Sequence, residues 1–171
     1  RMMDVAVTWT VNAAGEIETS ISVLRNPEFP DLPRFGLRMF LPKSVQKVAY
    51  YGLGPNESYP DKHRSSSHGL YVTDVVSLHE DYIRPQENGS HGDCDYVLVS
   101  NHRTQLAFTS DTPFSFNASA YTQEELTEKA HNYELVPCDS TVLCIDYAQN
   151  GVGSNSCGPK LRDPYRFKEQ R

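Results

Sequence analysis

Four carboxylates in predicted loops could do acid–base chemistry, and they are Glu57, Asp61, Asp81 and Glu87. Hydrolysis by a carboxylate pair needs two such groups facing one bond, one as general acid and one as base or nucleophile. The spacing of these four residues does not identify a pair. Loop carboxylates commonly accept hydrogen bonds from nearby backbone amides instead. We therefore predict that Glu57 and Glu87 are buried and stabilise turns by accepting backbone hydrogen bonds, with a functional role as the alternative.

Histidine and cysteine offer a second kind of chemistry, the binding of a transition metal. The segment His91–Cys94 could supply ligands to one side of a metal site, and the pair His63 and His68 is another candidate. A transition-metal site needs three or four convergent ligands, and no second cluster has matching spacing. The sequence therefore predicts no metal site and exposed histidines in polar loops.

The four cysteines do not form CxxC pairs, and they are Cys94, Cys138, Cys144 and Cys157. The first three lie in or beside apolar strand patterns, where buried and unreactive thiols belong. We predict reduced thiols, without a structural zinc or a disulfide that holds the fold.

Two long loops are the places where binding residues could lie. Residues 54–69 read GPNESYPDKHRSSSHG and are polar throughout, whereas residues 149–158 read QNGVGSNSCG, with three glycines and no charge. Long loops at the end of a β-sandwich often carry binding residues, but a surface connection can have the same composition. Composition alone leaves both interpretations open.

Short strands must position these loops. Val5, Val7, Trp9 and Val11 alternate with polar or small residues, which is the pattern of a half-buried strand, and we expect Trp9 in the core. A turn at residues 12–15 leads to a second strand over Ile17–Val23. Further strands are predicted over Phe35–Leu41, Val45–Leu53, Tyr71–Leu78, Tyr96–Ser100, Gln105–Ser110, Phe114–Ala120 and Thr141–Tyr147.

One short helix is also predicted. Thr122 can act as its N-cap, Glu125 completes a capping box, and the helix should run to about Ala130. Many short strands, one short helix and Pro/Gly-rich connections predict an all-β fold, an antiparallel β-sandwich.

The composition bounds the class of protein. The chain has 171 residues, 38% of them hydrophobic and 22% charged, which is typical of one soluble globular unit, and we predict a single domain over residues 1–171. A net charge of −6 without a basic patch argues against nucleic acid as a partner. No apolar run approaches the roughly 20 residues that a membrane-spanning helix needs, so no membrane partner is expected.

Four stretches, in order along the chain, resemble the last domain of the long bacterial β-galactosidases of glycoside hydrolase family 2. They are Tyr51–Asp61 (YGLGPNESYPD), Arg84–Gly89 (RPQENG), Phe114–Ser119 (FSFNAS) followed by Tyr121 and Thr122, and Asp146–Tyr147 leading into Gly151–Pro159 (GVGSNSCGP). The resemblance covers most of the chain from about residue 35 onward.

The resemblance implies a fold and an accessory role. The last domain of that family is a large antiparallel super-sandwich, similar to the galactose mutarotase fold, and this chain resembles its C-terminal part. The catalytic glutamates belong to a separate (β/α)8 barrel, and the Mg and Na sites lie mainly outside this region. The resemblance thus implies that the chain packs on the barrel of a parent enzyme, itself a homo-oligomer acting on β-galactosides such as lactose, in the cytoplasm or periplasm.

The last domain of the family also contributes a loop to the active-site mouth, and in this chain that loop is Gly151–Gly158. Cys157 stands where the best-known relative presents a tryptophan that stacks on the sugar, and cysteine offers no aromatic platform. The resemblance therefore implies a substrate-binding wall rather than a stacking site. Its candidate residues are Gly153, Ser154, Asn155, Ser156 and Cys157. The alternative is an ordered turn that only packs against the neighbouring domain.

Three classes of function compete on the sequence. They are an accessory domain of a retaining β-galactosidase, a stand-alone carbohydrate-binding or mutarotase-like module, and a purely structural or subunit-contact domain. The four ordered motifs favour the first. Because the catalytic glutamates are not in this chain, we predict that the isolated chain is inactive.

Overall fold

The structure is a computed structural model that describes residues 2–30, 32–153 and 161–167. The described residues form two compact units, one of residues 2–30 and one of the remainder. That residues 1–171 make a single domain stays a prediction.

The first unit is a β-hairpin. Strand β1 (Met3–Val11) pairs antiparallel with β2 (Ile17–Arg25), as the alternation predicts. The side-chain oxygen of Asn12 closes the turn by accepting hydrogen bonds from the amides of Ala14, at 2.9 Å, and Glu16, at 3.1 Å. An Asn that bonds its own backbone in this way is a common turn device, so the predicted turn is confirmed.

The predicted burial of Trp9 is wrong. Trp9 is 59% exposed, and its neighbours on the same face, Val7 and Val11, are 44% and 69% exposed. A two-stranded hairpin has no second layer of its own with which to cover either face. The alternation of apolar and polar residues therefore predicted correctly that these side chains share one face of the hairpin. It could not predict whether that face is covered by another part of the protein.

The second unit is built on a six-stranded antiparallel sheet with the strand order β3-β8-β7-β6-β4-β5. Its strands are β3 (Arg34–Pro42), β4 (Lys47–Gly54), β5 (Ser67–Asp74), β6 (Ser90–Ser100), β7 (Gln105–Ser119) and β8 (Ser140–Gln149). Among the described residues, short 3₁₀ turns lie at Val76–Leu78, Asn132–Glu134 and Asp163–Tyr165. The prediction of an all-β antiparallel fold with one short helix is confirmed.

Several strand boundaries differ from the prediction. The two strands predicted over residues 105–120 are a single strand, β7, and β5 lies earlier than the predicted Tyr71–Leu78. The pairing of β6 with β7 shifts register on either side of Cys94. A bulge of this kind lets one strand continue, with a bend, through a region where the sequence no longer alternates between apolar and polar residues.

The predicted N-cap of the helix is confirmed. Helix α1 spans Gln123–Glu128, and the Thr122 hydroxyl accepts a hydrogen bond of 3.1 Å from the amide of Glu125. The predicted capping box is not formed, since the carboxylate of Glu125 accepts a hydrogen bond of 2.8 Å from the amide of Val136 instead of one from the amide of Thr122. The helix ends two residues before the predicted Ala130, a difference within the usual uncertainty of helix ends.

The core of the second unit lies against one face of the sheet. It consists of Val48, Tyr50, Cys94, Val97, Val99, Phe114, Phe116, Ala118 and Leu143 from the strands, with Val45, Val75 and Leu78 from the connections. The alternate positions on β4 and β6 point into this core, as their sequence pattern requires. The long loops at 54–69 and 149–158 begin where β4 and β8 end. Within the described ranges, no helix has the length and apolar character needed to cross a membrane.

Candidate functional site

The segment that starts the predicted binding loop is held by one carboxylate. Asp61 accepts a hydrogen bond of 2.8 Å from the amide of Val152 through Oδ1 and one of 2.7 Å from the amide of Gly153 through Oδ2. Both oxygens therefore bind adjacent amides of the other long loop. Hydrogen bonds to an ionised acceptor are shorter and stronger than those between neutral groups.

Two glycines make this contact possible. A β-carbon added at Gly151 would lie 2.4 Å from the carboxyl carbon of Asp61, so any larger residue would displace the carboxylate. Gly153 has φ = +74°, a conformation that favours glycine. Gly153 is thus the predicted site residue that the structure places, and it lies directly at the Asp61 contact.

The described segment Leu161–Phe167 returns to the same place. The amide of Phe167 donates a hydrogen bond of 2.6 Å to Oδ1 of Asn150, and the amide of Gly151 donates one of 2.9 Å to the carbonyl of Tyr165. The other four predicted site residues lie outside the described residues. They are Ser154, Asn155, Ser156 and Cys157, and their assignment stays a prediction.

Asp61 itself lies in a tight turn. The amide of Tyr59 donates to the carbonyl of Lys62 at 2.8 Å, and the amide of Lys62 donates back at 3.0 Å. Pro60 and Asp61 form the tip between these two hydrogen bonds. A proline in this position restricts the backbone in advance, which orients the carboxylate that follows it.

Glu57 ties this turn to the rest of the fold. Its Oε1 accepts hydrogen bonds from the Lys62 ammonium and the Tyr82 hydroxyl, and its Oε2 accepts one of 2.7 Å from the amide of Gly89. Burial alone would raise the pKa of Glu57, but these hydrogen bonds outweigh it and hold the pKa below its ordinary value. The prediction that Glu57 is a buried turn-stabiliser is confirmed, since its side chain is 4% exposed.

Glu87 is only partly buried, and its partner is a side chain rather than the backbone. Arg34 donates to Glu87 at 2.6 Å and, through Nε and Nη2, to the two oxygens of Asp146 at 2.8 and 2.6 Å. Burial raises the pKa of Glu87, and the positive charge of Arg34 offsets part of that effect. Sequence analysis missed the ion pair of Arg34 and Asp146, because residues 112 positions apart in the chain give no local signal.

The four candidate carboxylates therefore have separate roles. Asp81 is the remaining one, and its side chain is 82% exposed, with one oxygen 3.4 Å from Nε2 of His79. Glu57 binds residues in and around the first long loop, Asp61 binds the start of the second, and Glu87 pairs with Arg34 at the start of β3. Each of these three carboxylates is occupied by hydrogen-bond or ion-pair partners within the fold.

The expectation of exposed histidines fails for His91. Its ring is 1% exposed and packs beside Tyr50 and Phe116, with Nδ1 3.0 Å from the Tyr50 hydroxyl and 3.0 Å from the Leu53 carbonyl oxygen. Burial lowers its pKa, which favours the neutral imidazole. His91 begins the bulged part of β6, where the alternation changes and the sequence pattern no longer shows which side chains face the core.

The remaining histidines and the thiols carry no metal cluster in the part of the chain that the structure describes. His63 and His68 lie in or beside the first long loop and bond backbone carbonyls at 3.2 and 2.9 Å. Among the described residues, no group of three or more His, Cys, Asp or Glu side chains could hold a metal ion. Cys94 and Cys144 are buried free thiols as predicted, and burial raises their pKa to about 12 and about 11. The same prediction is wrong for Cys138, which is only half-buried.

Comparison with known proteins gives this geometry a context. A family model described as the β-galactosidase small chain matches residues 1–171. The chain is 48% identical over 169 residues to a β-galactosidase of Actinobacillus pleuropneumoniae, covering 99% of the chain and 16% of that protein. It is 44% identical over 164 residues to one of Staphylococcus xylosus, covering 96% of the chain and 16% of that protein. A third similar protein is a β-galactosidase of Kluyveromyces lactis, 36% identical over 157 residues, covering 90% of the chain and 15% of that protein.

Proposed function

Because the chain belongs to the β-galactosidase small-chain family, we propose that it is the accessory C-terminal β-sandwich of a longer β-galactosidase. In this role it packs on the catalytic barrel and contributes the Gly151–Gly158 loop to the active-site mouth. The observation that carries the proposal is that the family model spans the whole chain, while the chain covers only 16% of the first two relatives. The catalytic glutamates of such an enzyme would then lie outside this chain.

The contacts of the carboxylates support the proposal that the catalytic residues lie outside this chain. Glycoside hydrolysis needs an acid and a second carboxylate on opposite sides of one glycosidic bond. Here Glu57 bonds Lys62, Tyr82 and Gly89, whereas Asp61 bonds the start of the loop. Carboxylates occupied in this way can shape a site, but they leave proton transfer and nucleophilic attack to another domain.

The chemistry of the loop suits contact with a sugar. Ser154, Asn155 and Ser156 offer hydroxyl and amide groups that can exchange hydrogen bonds with sugar hydroxyls. Cys157 cannot stack on a sugar ring, so we assign it a place in the wall of the site. Both described flanks of the loop are anchored, by Asp61 on one side and by Asn150 on the other.

The proposal extends to the parent enzyme. We expect a retaining β-galactosidase that is homo-oligomeric, binds Mg and Na, and works in the cytoplasm or periplasm. Since the described residues contain no cluster of three metal-ligating side chains, the ligands of these ions are expected on other parts of the parent. The roles that we derive for this chain are binding and orientation.

The test is to replace Cys157 and Asn155 in the full-length enzyme. We expect Cys157→Ala and Asn155→Ala to raise KM and the inhibition constant for galactose while kcat changes little. The loss of one wall contact or hydrogen bond costs about 0.5 to 1.5 kcal/mol. A loss of that size corresponds to as much as about a tenfold loss of affinity.

The control is Asp139→Ala, at a fully exposed carboxylate in the connection before β8, which should behave as the unmodified enzyme. Unchanged KM and galactose inhibition in both loop variants would show that the loop is only structural. A fall in kcat by orders of magnitude with unchanged KM would instead give the loop a role in bond cleavage, which contradicts the proposal.

A further inference from the structure

We propose that Asp61 is a positioning residue that orients Val152 and Gly153, at the start of the predicted binding loop, and through them sets the affinity of the site for sugar. The inference rests on the proposed function of the loop. It adds a determinant in a different part of the chain, 91 and 92 residues away from the two amides that Asp61 binds. Nothing in the spacing of the sequence links the two loops.

The first support is the geometry of the carboxylate. Its two oxygens bind the amides of Val152 and Gly153 at 2.8 and 2.7 Å, so two successive peptide planes are oriented by one side chain. Two adjacent amides bound in this way fix a direction of the backbone, whereas a single hydrogen bond would leave the segment free to rotate. The predicted sugar-binding residues begin at Gly153, the second of the two residues whose amides Asp61 binds.

The second support is that Asp61 is itself held. The turn of Tyr59 and Lys62 is closed by two backbone hydrogen bonds, and Lys62 forms an ion pair with the buried Glu57. Glu57 in turn binds the amide of Gly89, in the connection that leads to β6. A carboxylate on a turn that is held in this way can set the position of a loop, because the backbone that carries it is tied to the rest of the fold.

The third support is the space left at Gly151. A β-carbon there would lie 2.4 Å from two atoms of the Asp61 carboxylate, Cγ and Oδ1. Gly151 also donates its amide to the carbonyl of Tyr165 at 2.9 Å, so its backbone cannot simply move aside without breaking another contact. Asp61 and Gly151 are therefore fitted to each other, and disturbing either one should redirect the loop.

The experiment uses the full-length enzyme with three variants at this contact. Asp61→Ala removes both acceptors, Asp61→Asn keeps one carbonyl oxygen, and Gly151→Ala displaces the carboxylate without removing it. The matched controls are Asp139→Ala, for loss of an exposed carboxylate, and Gly92→Ala, where the nearest atom to the new β-carbon is 3.6 Å away. The measurements are KM, kcat, galactose inhibition, melting temperature and amide hydrogen exchange of the peptide that contains Val152 and Gly153.

We expect Asp61→Ala and Gly151→Ala to raise KM and the galactose inhibition constant by about tenfold, with kcat within about twofold. The KM and the galactose inhibition constant of Asp61→Asn should lie between those of these two variants and those of the unmodified enzyme. Hydrogen exchange should accelerate at Val152 and Gly153 in the same order, while both controls stay unchanged. If Asp61→Ala lowers the melting temperature of the whole enzyme, Asp61→Asn and Gly151→Ala decide the result.

The outcomes separate this inference from the proposed function. If Cys157→Ala and Asn155→Ala raise KM but the Asp61 and Gly151 variants change neither KM nor hydrogen exchange, the loop binds sugar and the positioning role of Asp61 is refuted. If the Asp61 and Gly151 variants accelerate exchange but no variant of either set changes KM or galactose inhibition, Asp61 positions the loop and the proposed sugar contact is refuted. A large fall in kcat with KM unchanged would overturn the positioning role as a determinant of affinity.

Discussion

At the scale of single residues, Glu57 shows how a carboxylate that could be catalytic is committed to structure. It is buried, and each of its oxygens accepts at least one hydrogen bond from a different part of the chain. Those donors hold its pKa below the ordinary value despite its burial. A general acid at neutral pH needs the opposite shift, a pKa raised towards the working pH.

The carboxylate of Glu57 should therefore stabilise the fold, and its contribution should depend on pH. We expect Glu57→Gln to lower the free energy of unfolding of this chain by about 1 to 3 kcal/mol at neutral pH, because Lys62, Tyr82 and the buried amide of Gly89 lose their charged acceptor. The folded pKa lies below the ordinary 4.5, so the stabilisation is present above about 4.5 and is lost as the pH falls through the folded pKa. Urea denaturation from about pH 7 down to about pH 3 measures the effect.

The control for this measurement is Asp139→Asn, at an exposed carboxylate that lies 3.7 Å from the ammonium of Lys43. The difference between the unmodified chain and Glu57→Gln should shrink in acid, whereas the control should follow the unmodified chain. If the difference in the free energy of unfolding between Glu57→Gln and the unmodified chain is the same at every pH, the side chain of Glu57 acts through its shape and not through its charge.

At the scale of elements, two glycines that pair across β4 and β5 have different roles. Gly52 and Gly69 are directly opposite in the register. A β-carbon at Gly52 would lie 2.4 Å from the sulfur of Cys94 and 3.0 Å from its Cα, whereas the nearest atom at Gly69 is 3.6 Å away on Tyr71. The close approach at Gly52 lets β4 pass the bulge of β6.

This pair makes a matched test of packing. Gly52→Ala should destabilise the chain by about 1 to 3 kcal/mol, because the added methyl group overpacks a site next to a buried thiol. Gly69→Ala should be neutral or stabilise by about 0.5 kcal/mol, because it only reduces the freedom of the unfolded chain. Urea denaturation of both variants measures the difference, and equal effects would show that the contact with Cys94 does not limit the packing.

At the scale of the whole molecule, the carboxylates are distributed over separate structural tasks, and the relatives are far longer than this chain. We therefore expect the isolated chain to hydrolyse no chromogenic β-galactoside. The measurement compares purified chain with a mock-purified sample at equal volume. Turnover above the mock sample that disappears in Glu57→Gln or Glu87→Gln would place the catalytic machinery here and overturn the proposed division of labour.

Much of the fold could be predicted from the sequence, because the signals are local. Alternation identified the hairpin and most strands of the sheet, and Thr122 with Glu125 identified the start of the helix. Side chains point to alternate faces of any strand, so this pattern survives whatever the strand packs against. The four ordered motifs likewise identified the family, because motifs are recognised from the residues themselves and do not depend on tertiary contacts.

What the sequence could not decide depends on which distant residues meet. Trp9 is exposed because the hairpin carries no second layer, and His91 is buried because β6 is bulged beside it. The same is true of the contact between Asp61 and the start of the Gly151–Gly158 loop, which joins residues more than 90 positions apart. Such contacts follow from strand order and register, which are settled only when the whole sheet packs. The local sequence pattern therefore predicts the strands and the helix, whereas the tertiary structure decides which residues contact each other.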